Sequence, residues 1–132
     1  MKNFIIALVI FLVFDGLWLG VFMKSFYSGA FGSLARRAGN SLSPNWLATG
    51  LAYFLLVLGV VILVLVQANG SVGRALLFGA IFGLIVYGVY DFTNMATLNG
   101  WSWKLVVVDV LWGIVLCSIV SAGTVWIGNL IK

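Results

Sequence analysis

Residues 75–98, ALLFGAIFGLIVYGVYDFTNMATL, form one long run of apolar and small residues whose only charged side chain is Asp91. As a helix, a run of this length reaches about 36 Å at 1.5 Å per residue, enough to cross a hydrocarbon layer of about 30 Å. Three further stretches, residues 4–23, 46–66 and 105–127, are of comparable length and apolarity. The chain of 132 residues is 64% hydrophobic and only 8% charged. Its mean hydropathy is +1.21, more apolar surface than a water-soluble core of this size can hide. Lipid must therefore solvate most of it. A spanning backbone must satisfy its amides internally, and these runs lack the alternation of a lipid-exposed barrel strand. The sequence predicts one all-α domain over residues 1–132, an antiparallel bundle of four transmembrane helices with both termini on the same side.

The opening MKNFIIALVIFLVF (1–14) has the basic start and apolar run of a signal peptide. The apolar run continues through DGLWLGVFM (15–23) with no small-x-small cleavage site directly after it, so it reads as the first span. Net charge is +4, but the seven basic residues flank the apolar runs. That placement suits membrane anchoring and excludes a nucleic-acid stripe. Lys2, Arg74 and Lys132 fall on the side of the termini, and Lys24, Arg36, Arg37 and Lys104 on the other. This is close to a tie, and the flanks of the first span lean toward termini outside. The single Cys117 lies within the fourth run, where it forms no internal disulfide and reads as a packing residue.

The connections are unequal. Residues 24–45, KSFYSGAFGSLARRAGNSLSPN, make the only long one. In it Phe26, Tyr27, Ala30, Phe31 and Leu34 recur at helical spacing ahead of Arg36 and Arg37, the pattern of a short interfacial helix; an irregular loop is the alternative. Pro44 suits an extended lead-in or first turn of the second span. QANGSVGR (67–74) and NGWSW (99–103) are tight turns, with Trp101 and Trp103 placed as interfacial anchors. Glycine pairs four apart, Gly16 with Gly20 and Gly79 with Gly83, suggest close helix approach.

The chain has three acidic residues, Asp15, Asp91 and Asp109, and all fall inside spans. Counted along the helices, Asp15 lies about 12 Å from the Met23 end, Asp91 about 10 Å from the Leu98 end, and Asp109 about 6 Å into the fourth run. All three helix ends belong to the membrane face of the long connection, so the acids share one layer whichever way the protein inserts. An intramembrane aspartate costs roughly 2.5–3.5 kcal/mol and so faces the bundle interior with a partner. Asp91 shares a helix face with Gly83, Tyr87 and Asn94, next to Tyr90. Trp18 follows Asp15 by three residues in DGLW (15–18), and Trp112 follows Asp109 by three in DVLW (109–112). Indole N–H can donate to carboxylate, and its ring can wall a pocket. The candidate ligand-binding set is therefore Asp15, Asp91, Asp109, Asn94, Trp18, Trp112, Tyr87 and Tyr90. A purely structural reading stands beside it: the acids hydrogen-bond to Trp, Tyr, Asn or Thr93, or pair with snorkelling Lys24 and Lys104, and only set helix register.

With no histidine and one cysteine, zinc, haem and non-haem iron sites of usual composition cannot form within one chain, nor can a Ser-His or Cys-His nucleophile. A glycine-rich phosphate loop and the phosphatidyltransferase pattern of acids on successive turns are missing. The sequence therefore leans away from an enzyme and implies no cofactor or metal.

FDGLWLGVFMKSFY (14–27), LFGAIFGLIVYGVYDFTNMATLNGW (77–101) and DVLWG (109–113) resemble an uncharacterised family of small bacterial four-helix inner-membrane proteins, a domain of unknown function. Its most specific motif is carried here by Tyr90, Asp91, Thr93, Asn94, Ala96 and Thr97. The resemblance implies a bacterial inner-membrane location. Through family members encoded beside fatty-acid-modifying enzymes, it also implies a link to membrane lipid metabolism and a lipid-modifying enzyme as partner. It supplies no catalytic residue. The expectation is a protein that binds a lipid or amphipathic small molecule in an intramembrane pocket. The alternatives are a small proton-coupled transporter acting as a homo-oligomer, or a structural or assembly subunit.

Overall fold

The computed structural model describes residues 1–131. Four helices are long and apolar enough to cross a membrane: span one (Lys2–Phe22), span two (Trp46–Ala68), span three (Val72–Thr97) and span four (Trp103–Leu130). They confirm the all-α, polytopic architecture. Three of them start at side-chain caps just outside the apolar runs. Asn45 Oδ1 accepts from the Ala48 amide, Ser71 Oγ from Arg74 and Ser102 Oγ from Leu105, at 3.1, 3.3 and 3.1 Å. Each satisfies an amide left open by the first turn. Spans three and four thus begin two or three residues before the hydropathy boundary. Pro44 stays outside the helix, in the extended lead-in to the Asn45 cap.

Span one ends in a π-helical turn, Trp18–Phe22, closed by the Met23 amide on the Trp18 carbonyl at 2.8 Å. The chain then turns into a linker helix, Lys24–Phe31. The rest of the connection contains a two-stranded antiparallel hairpin that hydropathy did not foreshadow, pairing Arg37 with Leu42 and Ala38 with Ser41. Gly39 supplies the positive φ for its turn, at 62°. Arg37 is not a free headgroup anchor. Its guanidinium donates to the Ser28 carbonyl at 2.6 Å and the Gly32 carbonyl at 3.3 Å, capping the linker helix and tying the hairpin to it.

Neighbouring spans pack one-two, two-three, three-four and four-one, with the largest contact between spans three and four. That contact depends on glycine: a Cβ on Gly83 would strike the Gly113 carbonyl, and one on Gly79 the Cys117 carbonyl. Backbones this close are possible only without side chains. Gly16 and Gly20 behave otherwise, with open space where a Cβ would stand, so that pair mediates no packing within the chain. Phe11, Val57, Val60, Leu116, Cys117 and Val120 fill the middle of the bundle, and Ala68, Ala75 and Val125 close its terminus-side end.

Span two divides its loyalties. Its first part, Trp46–Gly59, packs chiefly on span one, and the later part, Val60–Ala68, packs on span three. Spans two and three therefore diverge toward the long connection. The divergence opens the bundle at the depth where the acids lie.

Candidate functional site

Between the diverging helices lies a cavity of about 740 Å³. Span two contributes Thr49, Ala52, Tyr53, Leu55 and Leu56, and span three contributes Phe82, Val86, Tyr87 and Tyr90. Asp15 and Leu19 come from span one, Asp109 and Trp112 from span four, and Tyr27 and Phe31 from the linker helix. None of the lining residues is basic. Apolar side chains dominate the wall, and the polar groups are two carboxylates with hydroxyl and indole groups, the composition of a site that orients one end of a mostly apolar molecule.

Three sets of hydrogen bonds hold the carboxylates. Asp15 is 5% exposed and accepts from the Tyr53 hydroxyl at 2.5 Å and from Trp112 Nε1 at 2.9 Å. Asp109 Oδ1 accepts from the Tyr27 hydroxyl at 2.7 Å, and that hydroxyl in turn accepts from Trp18 Nε1 at 3.2 Å. Trp18 and Trp112 stack, with ring centroids 4.2 Å apart and planes 6° from parallel. Asp91 Oδ1 accepts from Trp101 Nε1 at 3.2 Å, while its other oxygen is buried without a partner. The Asp91 carboxyl neighbours that of Asp109. Acids from three spans thus fall in one layer, held by residues of span two, span four and the first and third connections.

Every donor to these carboxylates is a neutral phenol or indole. Lys24 and Lys104, the cations nearest in sequence, are not among them, and Lys104 Nζ instead stands 5.6 Å from the centroid of the Phe26 ring. Tyr27 lies outside the spans but is buried by the docking of the linker helix. Desolvation pushes its hydroxyl well above the ordinary tyrosine range; the Trp18 hydrogen bond works against this, and the charge of Asp109 adds to it. Tyr27 therefore keeps its proton and acts as the donor to Asp109.

Among the eight candidates from the sequence, Asp15, Asp109, Trp112, Tyr87 and Tyr90 line the cavity. Asp91 stands behind Asp109, fully buried, and Trp18 stands behind Trp112. Asn94 is partly buried beside Tyr90, outside the lining. Tyr27, Tyr53 and Trp101 were not in the candidate set. Tyr53 had a readable signal: it is seven residues after Trp46, about 10 Å into span two and hence in the acid layer. Tyr27 had been assigned to an interfacial face, and it points into the bundle instead. Trp101 had been assigned as an anchor; it is buried against Asp91, whereas Trp103 is 62% exposed as an anchor should be. Among the described residues no three metal-binding side chains converge on one point.

Four apolar spans around a half-open polar layer define a polytopic integral membrane protein. Residues 1–126 match the family model described as a predicted membrane protein, DUF2177, and the chain belongs to that family, whose function is unknown. No curated protein and no solved structure gives a significant match.

Proposed function

We propose that this protein binds a lipid or other amphipathic small molecule in the cavity between spans two and three. The polar end reaches the Asp15 and Asp109 layer, and the apolar part lies along Leu55, Leu56, Phe82 and Val86. The observation behind this reading is the divergence of span two from span three at the depth of the acids. It creates about 740 Å³ of space, within the range of small-molecule sites, where a tightly packed bundle would have none. The resemblance to bacterial inner-membrane proteins linked with fatty-acid modification supports a role in membrane lipid metabolism. In that role the protein would present its ligand to a lipid-modifying enzyme.

Native mass spectrometry with lipid extraction tests this on detergent-purified protein. Wild type should retain a discrete molecule beyond bulk lipid, and Ala52→Trp, which fills the cavity from span two, should lose it. Identical retained species in both proteins would overturn the reading. Asp91→Asn is the weaker probe, because Asp91 stands outside the cavity wall.

A second reading, proton-coupled transport by a homo-oligomer, draws support from one feature. Asp91, a fully buried acid neighbouring Asp109, has one carboxyl oxygen without a hydrogen-bond partner, and intramembrane acids of this kind mark proton pathways. Flux in liposomes that depends on pH and disappears in Asp109→Asn would favour it. Flux that is insensitive to both would remove it.

A further inference from the structure

We infer that the polar end of the bound amphiphile is a cation, an amine or quaternary ammonium group, seated against Asp15 and Asp109 and walled by Tyr27, Tyr53, Tyr87 and Trp112. This rests on the cavity reading above and names its ligand class.

Charge accounting around the layer is the first argument. Three carboxylates share that layer, and among the described residues their donors are uncharged hydroxyl and indole groups. Among the described residues, no lysine or arginine lines the cavity. Arg37 spends its guanidinium on the carbonyls of Ser28 and Gly32. An anionic headgroup would face two carboxyl groups with no basic side chain to offset it, whereas an ammonium gives Asp15 and Asp109 the cationic partner that the cavity wall lacks.

The wall gives the second, independent argument. Phenol and indole rings make up most of the polar lining, and such rings attract cations by their faces, most strongly where water is excluded. Tyr53 and Trp112 are both turned to Asp15 by hydrogen bonds, and Tyr27 is turned to Asp109. Stacking on Trp18 fixes the Trp112 plane. Rings oriented around carboxylates in this way suit an ammonium with aliphatic substituents better than an inorganic ion, for which no three carboxylate, histidine or cysteine ligands converge among the described residues.

Purified protein in a neutral detergent, titrated with single-chain probes of equal chain length, provides the test. One carries a trimethylammonium head, one an uncharged sugar head and one a sulfate head; binding is followed by quenching of tryptophan fluorescence and by native mass spectrometry. Wild type should bind the ammonium probe saturably and at least roughly tenfold more tightly than the sugar probe, as a desolvated cation-π and carboxylate site implies. The sulfate probe should bind more weakly than either. Asp15→Asn and Asp109→Asn, which keep the shape and the acceptor oxygen, should each reduce the preference for the ammonium. Equal binding of all three heads, or preference for sulfate, would overturn the cation assignment and leave the cavity reading in place. Failure of every probe to bind would overturn the cavity reading as well. The comparison of probes in wild type decides the matter even where a variant does not fold.

Discussion

The two ends of the bundle are built from similar apolar residues and packed in opposite ways. Toward the termini, small side chains let helices touch: Ala68, Ala75, Gly79, Ser121 and Val125 are buried, and span two lies against span three. Toward the long connection, aromatic and acidic side chains replace the small ones, span two leans away, and the gap stays open. In lipid, close packing between helices depends on small residues, whereas a polar group must be matched by another polar group. Each end follows one of these rules. The terminus-side end is built on small-residue contacts, and the other end holds the larger cavity.

Substitutions can break this contrast. The largest effect is expected at Gly83, where any side chain meets the backbone of span four. Gly83→Leu should prevent native packing of spans three and four, at a cost above about 3 kcal/mol. Gly16→Leu, with open space around it, should change stability by no more than about 0.5 kcal/mol. Thermal unfolding in detergent compares the two, and an equal loss at Gly16 would reveal a helix contact supplied by a second copy. Leu116→Ala, in the packed middle, should cost about 3 kcal/mol. The same truncation at Leu55, which is 63% exposed and borders the cavity, should cost less than about 1 kcal/mol.

A smaller effect separates Asp91 from the two acids of the cavity wall. Asp91→Leu leaves the buried Trp101 indole without an acceptor and should destabilise by about 2 kcal/mol. Asp91→Asn retains an acceptor and should lose less. If both variants unfold at the same temperature, the Trp101 hydrogen bond does not hold the third connection in place.

The smallest change sharpens the role of the linker helix. Tyr27→Phe removes the hydroxyl between Trp18 and Asp109 and should loosen residues 24–31 locally by about 1 kcal/mol, read as faster amide exchange confined to that helix. The same docking should depend on pH in one direction. Burial raises the Tyr27 pKa, so the docked helix keeps a proton that an undocked one loses above about pH 10. The Tyr27 contribution to docking is therefore flat at neutral pH and declines as pH rises past that point. Exchange that slowed with increasing alkalinity, after correction for intrinsic rates, would contradict this.

Much of the molecule was legible from residues alone. Length and apolarity placed four spans within a few residues of their ends, and counting along helices put Asp15, Asp91 and Asp109 in one layer. Both succeed because they depend only on helical rise and on the cost of polar groups in lipid. The partners were harder to find. Tyr53 was one apolar-run tyrosine among several residues of span two until its depth matched that of Asp15. Trp101 and Tyr27 looked like interfacial aromatics, because a sequence does not show which way a connection folds.

What the sequence determined by itself was therefore the number of spans, their antiparallel order and the depth of each acid, since a bilayer imposes these through local length and hydropathy. Only the tertiary structure decided that Gly79 and Gly83 pack while Gly16 and Gly20 do not, that Tyr27 turns inward, and that span two parts from span three. Those outcomes depend on which helix faces meet. Nearly uniform apolarity around each helix conceals that choice, because lipid and protein are almost equally good neighbours for a leucine.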